Sequence, residues 1–132
     1  MIHIFRLRRN VWNRYLSEFS GTFLMVLLGC GSVALGWNSL AVSITFGFAV
    51  FTAIMIFQPI SGAHINPAVS IAFAANGDLE KEALPGYIIA QCLGGWLAAI
   101  IVVSGATSPA AGYAQSWGCL LYTSPSPRDL YR

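Results

Sequence analysis

Ser61, Gly62, His64, Asn66 and Pro67 fall within eight consecutive positions, S-G-A-H-I-N-P-A, and the chain is apolar on both sides of them. Together with Glu18 and Gln91, each set in its own greasy run, they are the residues that can do more than fill space. The chemistry within their reach is hydrogen bonding. The sequence has no metal-ligand spacing, no nucleophile elbow and no phosphate-binding glycine loop, so it offers nothing to an enzyme and calls for no metal and no cofactor. A run of donors and acceptors between two apolar segments is either a solvent loop or polar backbone placed inside a membrane.

Asn66-Pro67 reads as a helix start, because Asn is a favoured N-cap and proline at the first helical position loses nothing by lacking an N–H. The apolar run that follows, 66–75, is too short to span a bilayer and suggests a re-entrant piece. Its N-terminus would lie deep in the membrane, with free N–H groups and the positive end of the helix dipole facing whatever fills the cavity. Irregular backbone at membrane depth is tolerated only where protein buries it or water solvates it. Residues 61–65 are therefore expected to be braced by neighbours or to line a wet cavity.

The elements that must hold this loop follow from composition. The 132 residues are 56% hydrophobic and only 9% charged, against roughly 25% charged in a soluble domain, and mean hydropathy is +0.65. Arg6, Arg8, Arg9 and Arg14 open the chain, Asp78, Glu80, Lys81 and Glu82 form one cluster, and Arg128, Asp129 and Arg132 close it. Between positions 15 and 77 the only acid or base is Glu18, His64 aside, and 83–127 holds none. The pattern is that of an all-α integral membrane protein. Three segments reach the roughly 20 apolar residues a span needs: 16–36, 40–59 and 84–104. The N-terminal arginines place residues 1–14 in the cytoplasm, and the loop and short helix, 61–76, then dip in and return on the cytoplasmic side. Gly86, Ala90, Gly94 and Ala98 put one small residue on the same face of the third span at every turn, which predicts close approach of a neighbouring helix. The basic residues form no aromatic-interleaved face, so no nucleic-acid partner is expected. Cys30 and Cys92 read as small hydrophobes.

S-G-A-H-I-N-P-A-V-S resembles the first Asn-Pro-Ala signature of the aquaporin, or major intrinsic protein, family. E-F-S-G-T-F-L-M-V-L-L-G-C-G-S is similar to the family's first span, F-G-F-A-V to the second and G-Y-I-I-A-Q-C-L-G-G to the third, in order, over residues 15–104. The resemblance implies the first of two inverted repeats, each of three spans and one half-helix, in a passive water channel of the cell membrane that assembles as a homotetramer with one pore per subunit. It implies that Asn66, within Asn66-Pro67-Ala68, is one of two asparagines donating to a single water at mid-pore. It also implies that Gly62, Ala63, His64 and Ile65 offer a ladder of carbonyl acceptors, and that Phe46 stands in the outer filter, where water-selective members differ from the Trp-bearing glycerol facilitators. Glu18 would accept hydrogen bonds from the re-entrant backbone, the alternative being a pair with Arg14 four residues earlier. Gln91 must find partners in the loop or in the other half, and His64 is expected to brace the loop, with only its carbonyl facing water.

The second Asn-Pro-Ala, the filter arginine after it and the fifth-span filter position are not among these 132 residues. After about position 117 the sequence departs from the family pattern: 106–118 reads as the start of an extracellular loop, and the tail C-L-L-Y-T-S-P-S-P-R-D-L-Y-R, 119–132, as read-through in a truncated gene product. The expectation is a water channel in full-length form whose half-chain does not conduct. Two alternatives are a facilitator of glycerol or another small neutral solute, and a non-conducting membrane partner subunit.

Overall fold

The computed structural model describes residues 11–105. The expectations for residues 1–10, for the loop at 106–118 and for the tail at 119–132 lie outside the described residues. Four helices follow one another: α1 (Val11–Ala34), α2 (Ser39–Ser61), α3 (Pro67–Asn76) and α4 (Leu84–Gly105). Three of them, α1, α2 and α4, are long and apolar enough to cross a membrane. At 1.5 Å per residue, ten-residue α3 is about 15 Å long, roughly half the hydrocarbon thickness.

Helices α1, α2 and α3 end where their local chemistry requires. Gly36, at φ +72°, closes α1. Asn38 caps α2 by accepting the Ala41 N–H at 2.9 Å, and α2 stops at Gly62, at φ +97°, whose N–H returns to the Gln58 carbonyl. Pro59 in the last turn has already removed one donor from that helix's ladder. Gly77, at φ +87°, closes α3. Helix α1 is already formed at Val11, five residues before the apolar run, because apolar length fixes the lipid-embedded part of a helix and not its hydrogen bonding.

Helix α1 is the centre, packed against both α2 and α4, and α3 lies against α4. The α1–α4 contact is the tighter in kind. A β-carbon at Gly94 would collide with the Phe19 carbonyl, and one at Gly86 with the Tyr15 ring. Ala90 is buried, and Ala98, with Val26 and Cys30, forms a core cluster. The polarity of the whole is inverted relative to a water-soluble domain. Ser17, Glu18, Thr22, Ser61, His64, Ser70 and Gln91 are buried, while Ile44, Phe48, Phe51, Met55, Leu93 and Trp96 are exposed. Lipid is as apolar as leucine, so such a protein gains its helix contacts from close backbone approach and internal hydrogen bonds.

Candidate functional site

Between α2 and α3 the backbone is irregular for five residues, 62–66, and over the first four its hydrogen bonds divide cleanly. Every N–H of 62–65 is used. Gly62 donates to the Gln58 carbonyl at 3.1 Å, Ala63 to Ser61 Oγ at 3.1 Å, His64 to Glu18 Oε1 at 3.0 Å and Ile65 to Glu18 Oε2 at 2.6 Å. The carbonyls of Gly62, Ala63, His64 and Ile65 receive no donor among the described residues. Buried backbone groups are nearly always paired, so four open acceptors in a row beside fully used donors point to a partner outside the described residues. The chain adopts an unfavourable shape to arrange this: Ala63 has φ +50° and Ile65 φ +46°. A β-branched residue in that region is an outlier costing about 1–3 kcal/mol, and such strain persists only where surroundings over-determine it.

Glu18 supplies that determination. It is completely buried and accepts from Ser61 Oγ at 2.6 Å as well as from the two loop amides. A fourth donor, Gln91 Nε2, reaches its Oε2 at 2.9 Å. Gln91 Nε2 also donates to Ser70 Oγ of α3 at 2.8 Å, and Ser70 Oγ lies 3.1 Å from His64 Nδ1. Glu18 thus fixes the loop to α1, and Gln91 fixes Glu18 to α3. The His64 ring packs at a tilt against Phe73 and Tyr87, with centroids at 4.5 and 5.2 Å. Gln91 Oε1 is buried without a partner among the described residues. It faces away because turning the amide over would set an oxygen against the carboxylate.

The start of α3 is capped by Asn66, whose Oδ1 accepts the Ala68 N–H at 2.8 Å. Pro67 has no N–H, and Ser70 N bonds the Asn66 carbonyl at 3.1 Å. With Oδ1 occupied, the part of the exposed Asn66 side chain left to act is Nδ2, a donor, beside the positive end of a helix dipole. Acceptor carbonyls and one fixed donor therefore adjoin each other.

Among the residues expected from the sequence, Glu18, Gln91, His64 and Ile65 come together. Phe46 does not join them: it lies 15 residues before Ser61 on α2, about 22 Å along the axis, half-buried against the Val26–Cys30–Ala98 cluster. Its ring lies over Gly29, where a β-carbon would collide with it. Arg14 pairs with Glu80 at 3.0 Å and donates from Nε to the Tyr87 hydroxyl at 3.0 Å, not to Glu18. Sequence reasoning missed Ser70 and Tyr87. A serine or tyrosine in a span carries no local mark of its role, although Ser70 stands one turn after Asn66 on the half-helix.

Residues 6–122 match the protein family described as major intrinsic protein (MIP). A "Probable glycerol uptake facilitator protein" of Thermotoga maritima is 44% identical over 97 residues, covering 67% of this chain and 42% of that protein. Aquaporin Z of Rhodopseudomonas palustris is 40% identical over 108 residues, 76% of this chain and 45% of its own length. Among solved structures, the aquaglyceroporin from Plasmodium falciparum superposes with a TM-score of 0.65 at 28% identity, over 86% of this chain and 45% of that one. The chain spans less than half the length of the curated relatives it matches.

Proposed function

The chain belongs to the major intrinsic protein family, and from that premise we propose that it supplies one side of a passive water channel, completed by a second repeat. The observation that carries this reading is the loop whose four N–H groups are all held by protein while its four carbonyls are open. A water molecule has two hydrogens to give, and the ladder Gly62, Ala63, His64, Ile65 takes them in succession. At the end of the ladder, Asn66 Nδ2 donates to the water oxygen. A water whose oxygen is held by two such donors, one from each repeat, cannot relay a proton onward, and the positive half-helix end repels cations. Flow follows the osmotic gradient, with no covalent step and no cofactor.

Phe46 is assigned to the outer filter, in the half of α2 remote from the loop. A phenylalanine there favours water over glycerol, which members bearing tryptophan pass. Glycerol or another small neutral solute is the second reading, favoured by similarity to the Thermotoga maritima protein. The N-terminal arginines orient the chain with its N-terminus in the cytoplasm, in the cell membrane, and the complete channel is a homotetramer.

Stopped-flow osmotic swelling of proteoliposomes tests the assignment. In a full-length channel carrying this half, Asn66→Leu removes the donor, and water permeability falls about tenfold, the effect of raising a barrier by the worth of one hydrogen bond, with insertion unchanged. Permeability equal to the parent's removes Asn66 from the pore. The 132-residue chain alone, with a single asparagine donor and one half-helix, gives no permeability above empty liposomes; a clear increase refutes the two-sided constriction. Parallel glycerol uptake separates the two solute readings.

A further inference from the structure

Tyr87 and Arg14 play no part in the pore, yet Tyr87 is the largest completely buried side chain among the described residues. Its hydroxyl donates to the Ser61 carbonyl at 2.7 Å, the point where α2 gives way to the re-entrant segment. The same hydroxyl accepts from Arg14 Nε at 3.0 Å, and the guanidinium stands 5.3 Å from the Tyr87 ring centroid. Arg14 Nη1 extends in another direction to Glu80 Oε2 at 3.0 Å, just past the point where α3 ends and the segment leaves. Ala74, Leu79, Ala83 and Tyr87 close a small apolar cluster around this exit, with Tyr15 packed on it and edge-on to Tyr87.

We propose that Arg14 and Tyr87 form a two-ended clamp, tying the entrance of the re-entrant segment at Ser61 and its exit at Glu80 to one pair of side chains on α1 and α4. Ser61 transmits the grip. Its carbonyl is held by Tyr87, while its hydroxyl donates to Glu18 and accepts the Ala63 N–H. A shift of the carbonyl therefore moves the groups that pose the open acceptors. Arginine is required because two bonds leave it in fixed, divergent directions; a lysine ammonium on a flexible stem makes one at a time. The Glu80 arm is exposed on its carboxylate side, 69% against 18% for Arg14, and is the end that water competes for. Arg14 and Tyr87 are thus positioning residues, and their effect on conduction rests on the channel reading above.

Amide hydrogen exchange of the 132-residue chain in lipid nanodiscs tests the clamp without reference to conduction. Tyr87→Phe keeps the ring and removes the hydroxyl; amides 63–65 are expected to exchange roughly three- to tenfold faster, the range one net hydrogen bond produces, with amides 77–84 unchanged. Glu80→Gln accelerates 77–84 alone, Arg14→Gln accelerates both ends, and Arg14→Lys restores the exit but not the entrance. This divided pattern is what general loosening of the fold does not give. Parent rates at 63–65 in Tyr87→Phe, or an Arg14→Gln effect confined to one end, overturns the clamp. In a full-length channel carrying this half, Tyr87→Phe lowers water permeability severalfold. Parent flux alongside the divided exchange pattern overturns the positioning role, whereas a parent channel without water flux overturns the channel reading and leaves the clamp standing.

Discussion

Replacing Glu18 by glutamine keeps the volume of the side chain and halves its capacity to accept. Oε1 now takes Ser61 Oγ and the His64 amide, and Oε2 takes the Ile65 amide and Gln91 Nε2. A glutamine offers one oxygen, so whichever way it turns, two donors meet an NH2 group. Hydrogen bonds to a charged group are worth about 1.5–3 kcal/mol each, so the direct loss is about 3–6 kcal/mol. Part of that is returned, because the carboxylate has no cationic partner among the described residues and removing a charge from a dry site is favourable. Taking about half as returned leaves a net loss of about 1.5–3 kcal/mol. Against it stands the strain at Ala63 and Ile65, about 1–3 kcal/mol each, which is released as soon as the loop lets go. The two are of one size, so the variant loop opens while the helices remain. Amide exchange in nanodiscs reads this directly: positions 64 and 65 speed up about 12- to 150-fold, the factor that about 1.5–3 kcal/mol corresponds to, with the amides around Ala98 unchanged. Ser61→Ala leaves Glu18 three donors and frees only the Ala63 amide, so 64 and 65 change by less than about tenfold. Exchange at 64 and 65 within about threefold of the parent in Glu18→Gln, under 1 kcal/mol, refutes the reasoning.

Gly94→Val drives a β-carbon into the Phe19 carbonyl, where backbone cannot yield as a side chain would; a loss of about 1–3 kcal/mol is expected in unfolding followed by tryptophan fluorescence in detergent, with the α1–α4 contact separating first. Ala63→Gly relieves a positive φ at the expense of one buried methyl, and stabilises by up to about 1 kcal/mol in the same titration; a clear destabilisation would show that the backbone shape there is not strained. Gln91→Leu removes two donated hydrogen bonds but also the unpartnered Oε1, terms of similar size, so it costs no more than about 1–2 kcal/mol, less than Glu18→Gln.

The re-entrant loop and its half-helix were legible because their signals are local. Asn66 before Pro67, a ten-residue apolar run, and glycines at 62 and 77 leave little else for residues 61–77 to be. The small-residue stripe of α4 was legible for the same reason: Gly86 and Gly94 can be spaced by eye, and the structure puts α1 against both. Tertiary partners left no such mark. Arg14 stands four residues before Glu18, a spacing that suits a helical ion pair, yet it joins Glu80, 66 residues away, and Tyr87, 73 away. Nothing near Ile65 announces φ +46°, since local preference argues against it; that conformation exists because a carboxylate 47 residues earlier takes its amide.

A bare apolar wall would not explain why the one acid within the first two spans is an acid. Loop backbone at membrane depth carries donors and acceptors in equal number, and pairing them with each other gives a closed turn with nothing to offer a solute. An ionised carboxylate is acceptor-only. Placed behind the loop, it takes up N–H groups and by its nature cannot take carbonyls, so the carbonyls are left to the other side. Lysine or arginine at position 18 would sort the groups the opposite way, binding the carbonyls and leaving amides open. From α1 the Glu18 carboxylate meets His64 and Ile65 together while Ser61 and Gln91 complete its shell. The polarity of the loop, donors inward and acceptors outward, is thus set by the chemistry of one side chain on another helix.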